Sequence, residues 1–172
     1  YVNLGVFQVD STHFVRVLGD NNTGVWDDNC YTLDETRTYD TVLSAGDYSE
    51  IINIQIQHPA LTSTNTLVSY TGDYKLLKGC IFKGNEYTRG TQLGPNSKAI
   101  NCVFIGGAVG VFVNYAPHTV YHCTFIGCGT GYMGNIGNHP ARAFNNLFSG
   151  CTVDVDRNAT AYFVQGNNAT DL

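Results

Sequence analysis

One short phrase returns five times between Asn53 and Asn146 at a nearly constant distance, and no other feature of the chain limits its fold so strongly. The copies are Asn53-Ile54-Gln55-Ile56, Gly79-Cys80-Ile81-Phe82, Asn101-Cys102-Val103-Phe104, His122-Cys123-Thr124-Phe125 and Asn145-Asn146-Leu147-Phe148. A glycine follows each of the last four by two residues. These glycines, Gly84, Gly106, Gly127 and Gly150, lie 22, 21 and 23 residues apart. A period of that length marks a stacked repeat. The leucine/asparagine consensus of leucine-rich repeats is absent, which leaves a parallel β-solenoid with one coil per repeat.

Side chains alternate between the two faces of a strand. With Phe104 inward, Cys102 is inward too, while Asn101, Val103 and Ile105 point out. Stacked coils bring equivalent residues about 4.8 Å apart. The inner ladders therefore read Ile54/Cys80/Cys102/Cys123/Asn146 and Ile56/Phe82/Phe104/Phe125/Phe148. The glycine after each strand allows a sharp corner. Seven residues past the ladder phenylalanine come Val111, Tyr132 and Val155, preceded two residues earlier by Val109, Thr130 and Val153, and these form a second face. Ile100, Tyr121 and Phe144, two residues before the ladder cysteine or asparagine, supply a third. Three short strands per coil of about 22 residues predict an all-β, right-handed parallel β-helix, a single-stranded solenoid whose hand is the default for parallel connections.

Composition enters as a set of bounds. At 172 residues the chain is long enough for a core of its own. Only 13% of it is charged, and the 19 glycines suit a fold rich in strands and turns. A net charge of −5 argues against a nucleic-acid surface. The absence of a basic amphipathic helix and of an apolar run near 18 residues argues against membrane insertion. The chain opens at Tyr1 without methionine or an apolar leader, which suits removal of a signal peptide or a piece of something larger. At Leu172 a further rung has just begun, which suits a partner capping that end or a cut chain.

Residues 1–38 do not fit the repeat and read as an N-terminal β leader or cap; residues 39–172 read as the β-helix. Within the leader, Tyr1-Val2-Asn3 and His13 to Leu18 have strand character, and Gly19 to Gly24 is a polar turn. Asp20 in that turn is a candidate Ca²⁺ ligand, the one cofactor suggested, although the spacing of an EF-hand loop is missing. Trp26, Tyr31 and Leu33 are expected to close the mouth of the coil.

The run from Asp40 to Glu50, passing through Gly46-Asp47-Tyr48 into Ile51-Ile52-Asn53-Ile54-Gln55-Ile56, resembles the first coil of pectin-lyase-like right-handed β-helix proteins. That superfamily includes secreted and phage-borne members, and the resemblance implies a secreted, cell-surface or virion setting. Its polysaccharide lyases and hydrolases place carboxylates with Lys or Arg on an outer strand face. Here that face reads Gln55, Ile81, Val103, Thr124, Leu147 and Gln57, Lys83, Ile105, Ile126, Ser149, without an acid. The superfamily's polygalacturonase pattern of Asn-Thr-Asp, paired Asp and Gly-His-Gly is missing too. A glycosidase needs two carboxyl groups at a set distance, so no catalytic residue is assigned.

Asp154 and Asp156, two apart on the outer side of the second face beside Arg157, are candidates for ligand or ion contact. Nothing among His118, His122 and His139 has metal-ligand spacing, so no metal site is assigned. His122 instead joins Asn53, Gly79, Asn101 and Asn145 in an outward column expected to be hydrogen-bonded along the corner. Of six cysteines, Cys80, Cys102 and Cys123 are core fillers. Cys128 and Cys151, stacked after corner glycines, are the candidate disulfide, and Cys30 is left over. Asn21, Asn158 and Asn168 head glycosylation acceptor patterns, as in a glycoprotein.

Ile81, Val103, Ile105, Ile126 and Leu147 form an apolar outer patch of a kind that soluble monomers seldom leave bare. The function expected is a non-enzymatic extracellular or virion structural or adhesive protein, assembling as a homo-oligomer or larger array through that patch or its coil ends. The alternative is a polysaccharide-binding or polysaccharide-cleaving β-helix domain.

Overall fold

The computed structural model describes residues 2–3, 15–19, 32–34, 43–58, 64–70, 72–113, 117–134, 141–157 and 163–171. These residues form three parallel sheets of seven strands and no helix. Sheet I stacks Val2–Asn3, Leu43–Ala45, Asn65–Tyr70, Thr88–Leu93, Val109–Val113, Thr130–Gly134 and Val153–Arg157. Sheet II stacks Val15–Leu18, Ser49–Ile52, Leu76–Lys78, Ser97–Ile100, His118–Tyr121, Ala141–Phe144 and Phe163–Gly166. Sheet III stacks Thr32–Asp34, Gln55–Gln57, Ile81–Lys83, Val103–Ile105, Thr124–Ile126, Leu147–Ser149 and Ala169–Thr170. Each sheet takes every third strand, so the chain visits I, II and III once per coil, as the three-strand period predicts.

The register agrees with the sequence offsets. Ile56, Phe82, Phe104, Phe125 and Phe148 pair one above another through sheet III. Val109 pairs with Thr130 and then Val153, and Val111 with Tyr132 and then Val155, in sheet I. Residues 1–38 differ from expectation. Their described strands pair in parallel with the next coil, Val2 with Leu43, Val15 with Ser49 and Thr32 with Gln55. They are a rung of the same solenoid. The repeat is hidden there because these strands stand further apart in sequence than those of later coils. Trp26 and Tyr31 lie outside the described residues.

The core is built from columns. The phenylalanine rings stack nearly parallel, with centroids 4.7 Å apart for Phe82 and Phe104, 5.0 Å for Phe104 and Phe125, and 4.8 Å for Phe125 and Phe148. Opposite them, Gly90, Gly110 and Gly131 let sheet I approach the rings: a methyl at Gly110 would sit 2.6 Å from Phe125 Cδ1. Close packing of the rings on bare backbone needs glycine at those three positions.

The turn from sheet II to sheet III is made by one left-handed residue per coil: Asn53, Asn101, His122, Asn145 and Asn167, with φ of 52° to 56°, and Gly79 at 63°. Asparagine and histidine are among the non-glycine residues that tolerate this region best. The ladder along this outward column runs through the backbone. Asn101 N–H donates to Tyr121 O at 3.0 Å and His122 N–H to Phe144 O at 3.2 Å. The amide side chains that bond from coil to coil are in the inward column next to it. Asn146 Oδ1 accepts from Cys123 N–H at 2.9 Å, and Asn146 Nδ2 donates to Val120 O at 3.2 Å. Asn168 Oδ1 accepts from Asn146 N–H at 2.9 Å, and Asn168 Nδ2 donates to Ala143 O at 3.2 Å. Amides thus replace cysteines in the last two rungs while every polar atom keeps a partner.

Candidate functional site

The outer face of sheet III is less bare than its sequence suggests. Ile81 is 0% exposed and stands outside the main core cluster, so it is covered on the outer side of its strand and leaves the patch. Gln55, one rung earlier in the same column, is buried as well. Val103 and Ile105 are half-buried, whereas Ile126 and Leu147 are 42% and 46% exposed. The open part of the face therefore lies toward the later coils.

Other candidates are redistributed. Asp154 does not share an outer side with Asp156. It lines a cavity of about 640 Å³ at the end of the coil with Phe148, Val155 and Asn168, while Asp156 and Arg157 are exposed. The reason is local. Asp154 takes the place in sheet I that Gly131 holds one rung earlier, against the ring column. Cys128 and Cys151 are not bridged: both are free and buried. Parallel side chains stacked in register give poor geometry for a bridge, and Cys128 Sγ instead donates to Gly106 O at 3.1 Å. Burial, aided by Cys151, pushes the Cys128 thiol up to about 12. Burial also raises Cys102 well above the usual thiol range, and hydrogen bonding with Cys102 raises Cys80. Such groups remain thiols and act as packing, not as nucleophiles. Asn168 Nδ2, the atom that a glycan would occupy, donates to Ala143 O at 3.2 Å. Asp20, Asn21, Cys30, His139 and Asn158 lie outside the described residues. Among the described residues no three His, Cys, Asp or Glu side chains converge as a metal site.

The most developed surface is one that the repeat did not single out, the outer face of sheet II and its corner with sheet I. At that corner Tyr48 and Tyr74, both left-handed with φ of 48° and 56°, stack with centroids 5.1 Å apart and planes 6° from parallel. Asn96 continues the left-handed column one coil later at φ 55°. The aromatic stack therefore ends over a short side chain. Two adjoining recesses, of about 220 and 460 Å³, meet at Tyr74, Asn96 and Lys98. The first reaches Glu50 and Lys75, the second His118 and Arg142.

Behind this corner runs an inward polar column of Ser49, Lys75, Ser97 and His118, all buried. Ser49 Oγ donates to Gly46 O at 3.0 Å and Ser97 Oγ to Pro95 O at 3.1 Å. His118 Nε2 bonds the Tyr132 hydroxyl at 2.5 Å. Burial lowers the Lys75 ammonium from its ordinary value to about 8, although the Asp47 and Asp73 carboxylates pull it upward. The signal available in sequence was the outward column paired through sheet II at Arg16, Glu50, Leu76, Lys98, Thr119 and Arg142, which carries most of the charge on that face.

No family model matches the chain, and neither a curated protein nor a solved structure matches it. The geometry itself defines the class: an all-β parallel solenoid with stacked apolar and amide columns inside and two distinct outer surfaces, one apolar and one aromatic and basic. Among the described residues no helix is long and apolar enough to cross a membrane.

Proposed function

We propose that this chain is a non-enzymatic structural or adhesive β-helix of an extracellular, cell-surface or virion setting, assembled as a homo-oligomer through the outer face of sheet III. The observation that carries this reading is the pair Ile126 and Leu147, 42% and 46% exposed on the outer face of sheet III, with half-buried Val103 and Ile105 on the preceding strand of the same face. Large apolar side chains grouped on one face favour a protein partner. A closed symmetric assembly would bury the same patch on each copy. The test is light scattering on the purified chain, alone and as the Ile126→Asp/Leu147→Asp double variant. A discrete oligomer that the variant reduces to monomer, with its circular dichroism unchanged, supports the reading. A wild-type monomer at high concentration refutes it.

A second reading is favoured by a different observation. The Tyr48–Tyr74 stack beside the recesses of sheet II suits a sugar chain, as in a polysaccharide-binding or polysaccharide-cleaving domain of pectin-lyase-like type. Concave sites lined by aromatic rings with a few convergent polar groups are the usual form of such sites.

A further inference from the structure

We infer that the corner between sheets I and II binds a planar aromatic acid, a flat ring or fused pair of rings carrying one carboxylate, laid on the free face of Tyr74 with its acid against Lys98. This goes beyond both readings above, because the ligand is a small molecule of another class, neither a protein surface nor a sugar chain. Tyr48, Tyr74 and Asn96 follow one another in a single left-handed column, with φ of 48°, 56° and 55°. The column is tied coil to coil through the backbone: Tyr48 N–H donates to Asp73 O at 3.1 Å and Tyr74 N–H to Pro95 O at 3.2 Å. Its first two positions carry rings, stacked 5.1 Å apart with planes 6° from parallel. Its third carries a short amide. The stack therefore stops after two rungs, and Tyr74 is left 52% exposed. Bulky residues seldom adopt a left-handed backbone, and here two in succession hold a pair of rings outside the core cluster.

The rung above Tyr74 opens into the larger of the two recesses. It has a volume of about 460 Å³, and Tyr74, Asn96, Lys98, Thr119 and Arg142 line it with no acid among its described walls; small-molecule sites span roughly 300–1,000 Å³. Lys98 and Arg142 are exposed and make no ion pair with any described residue. Glu50, the acid of their outward column, is engaged by Arg16, whose Nε donates to Glu50 Oε2 at 2.6 Å. Lys98 stands two residues along the chain from Asn96, roughly 7 Å in an extended strand, so a lysine side chain and a single acidic substituent together span the gap from a ring seated on Tyr74. Arg142 lies two coils, roughly 10 Å, beyond Lys98 in the same column, across the short Thr119. Ring face and cations thus fall within the reach of one small molecule. A flat ring on Tyr74 continues the offset stacking that Tyr48 begins, and lysine or arginine takes the carboxylate through charge-assisted hydrogen bonds. The backbone already holds the tyrosine pair in place, so little ordering is needed on binding.

The test is proton NMR and fluorescence titration of the full chain with naphthoate, against naphthylmethanol (the ring without the acid), cyclohexanecarboxylate (the acid without the flat ring) and trigalacturonate (a sugar acid). The variants are Tyr74→Asn, Asn96→Tyr, Lys98→Gln and, as a charge control on sheet III, Lys83→Gln, each checked for fold by circular dichroism. Asparagine tolerates the left-handed backbone, so Tyr74→Asn removes the ring and keeps the corner. Asn96→Tyr extends the stack with the chain's own ring and occupies the ligand's rung. Expected are naphthoate binding with its ring protons shifted by Tyr74, and binding at least tenfold weaker for the other three compounds. Tyr74→Asn and Lys98→Gln each weaken naphthoate by roughly tenfold, Asn96→Tyr abolishes its binding and Lys83→Gln leaves it unchanged. Naphthoate binding that Tyr74→Asn and Asn96→Tyr do not alter overturns the assignment of the corner. Equal binding of cyclohexanecarboxylate overturns the stacked ring, and equal binding of naphthylmethanol overturns the role of the acid. Tighter binding of trigalacturonate, lost in the same variants, gives the corner to the sugar reading and overturns the inference. Absence of naphthoate binding overturns it too and leaves the oligomer and sugar readings to their own tests.

Discussion

Replacing Phe104 by alanine tests the central column most directly. The ring is 1% exposed and lies between Phe82 at 4.7 Å and Phe125 at 5.0 Å. Removing roughly 150–200 Å² of buried apolar surface at about 25 cal/mol per Å² costs about 4–5 kcal/mol. That sits at the upper end of the usual ~3–5 kcal/mol for this substitution in a core. Phe148 is an informative comparison. It is as well buried but has one ring neighbour, Phe125 at 4.8 Å. If parallel ring pairs stabilise beyond the area that they bury, by ~0.5–1.5 kcal/mol each, Phe148→Ala should cost about 1 kcal/mol less than Phe104→Ala. The assay is urea unfolding followed by far-ultraviolet circular dichroism, comparing midpoints and slopes. A changed slope would report that coils unfold separately, which is the known failure of two-state behaviour in repeat arrays. A near-neutral Phe104→Ala would refute the register. A Phe148→Ala as costly as Phe104→Ala would refute the added contribution of stacking.

Three further outcomes are expected. Asn146→Ala should destabilise by about 1–3 kcal/mol in the same unfolding assay, because Cys123 N–H and Val120 O lose their buried partner; an unchanged midpoint would contradict the inward amide ladder. For Lys75, whose folded value of about 8 lies below its ordinary 10.5, the unfolded chain holds the proton that the folded chain has released between those values. Stability should therefore rise with pH across that window, by at most ~1.4 kcal/mol per pH unit, with the full penalty present below pH 8. Lys75→Met should be more stable than wild type near pH 7 and should lack that rise; identical pH profiles would refute the assignment. Finally, Cys80, Cys102, Cys123, Cys128 and Cys151 should resist thiol labelling in the native protein and all react after unfolding without reductant. Mass spectrometry that finds Cys128 joined to Cys151 would overturn the free-thiol geometry.

Much of this fold was legible because a strand's alternation is a strict period of two and a coil's return is a strict stack. Phe82, Phe104, Phe125 and Phe148 name both the inward face and the register, and the structure pairs them as the spacing requires. Where the period fails, so did the reading. The strands of residues 1–38 pair into the same three sheets, yet their longer connections erase the repeat. Asp154 and Asp156 share a parity in sequence but not their surroundings, since Asp154 follows the glycine column that faces the rings and lines the end cavity while Asp156 is exposed. Cys128 and Cys151 stack as expected, but stacking in register is what sets their side chains parallel and leaves them unbridged.

By itself the sequence determined the coil: its length, its three strands, its inward phenylalanines and the asparagine and glycine corners, all of which follow from local alternation and backbone tolerance. Tertiary structure alone decided the surfaces. Ile81 proved covered and Ile126 open although both occupy outward positions on the same sheet. Tyr48, Tyr74, Lys98 and Arg142, drawn from four separate coils, came together on one corner and sheet only through stacking. Exposure and convergence depend on what the rest of the chain lays over each strand, and no local period carries that information.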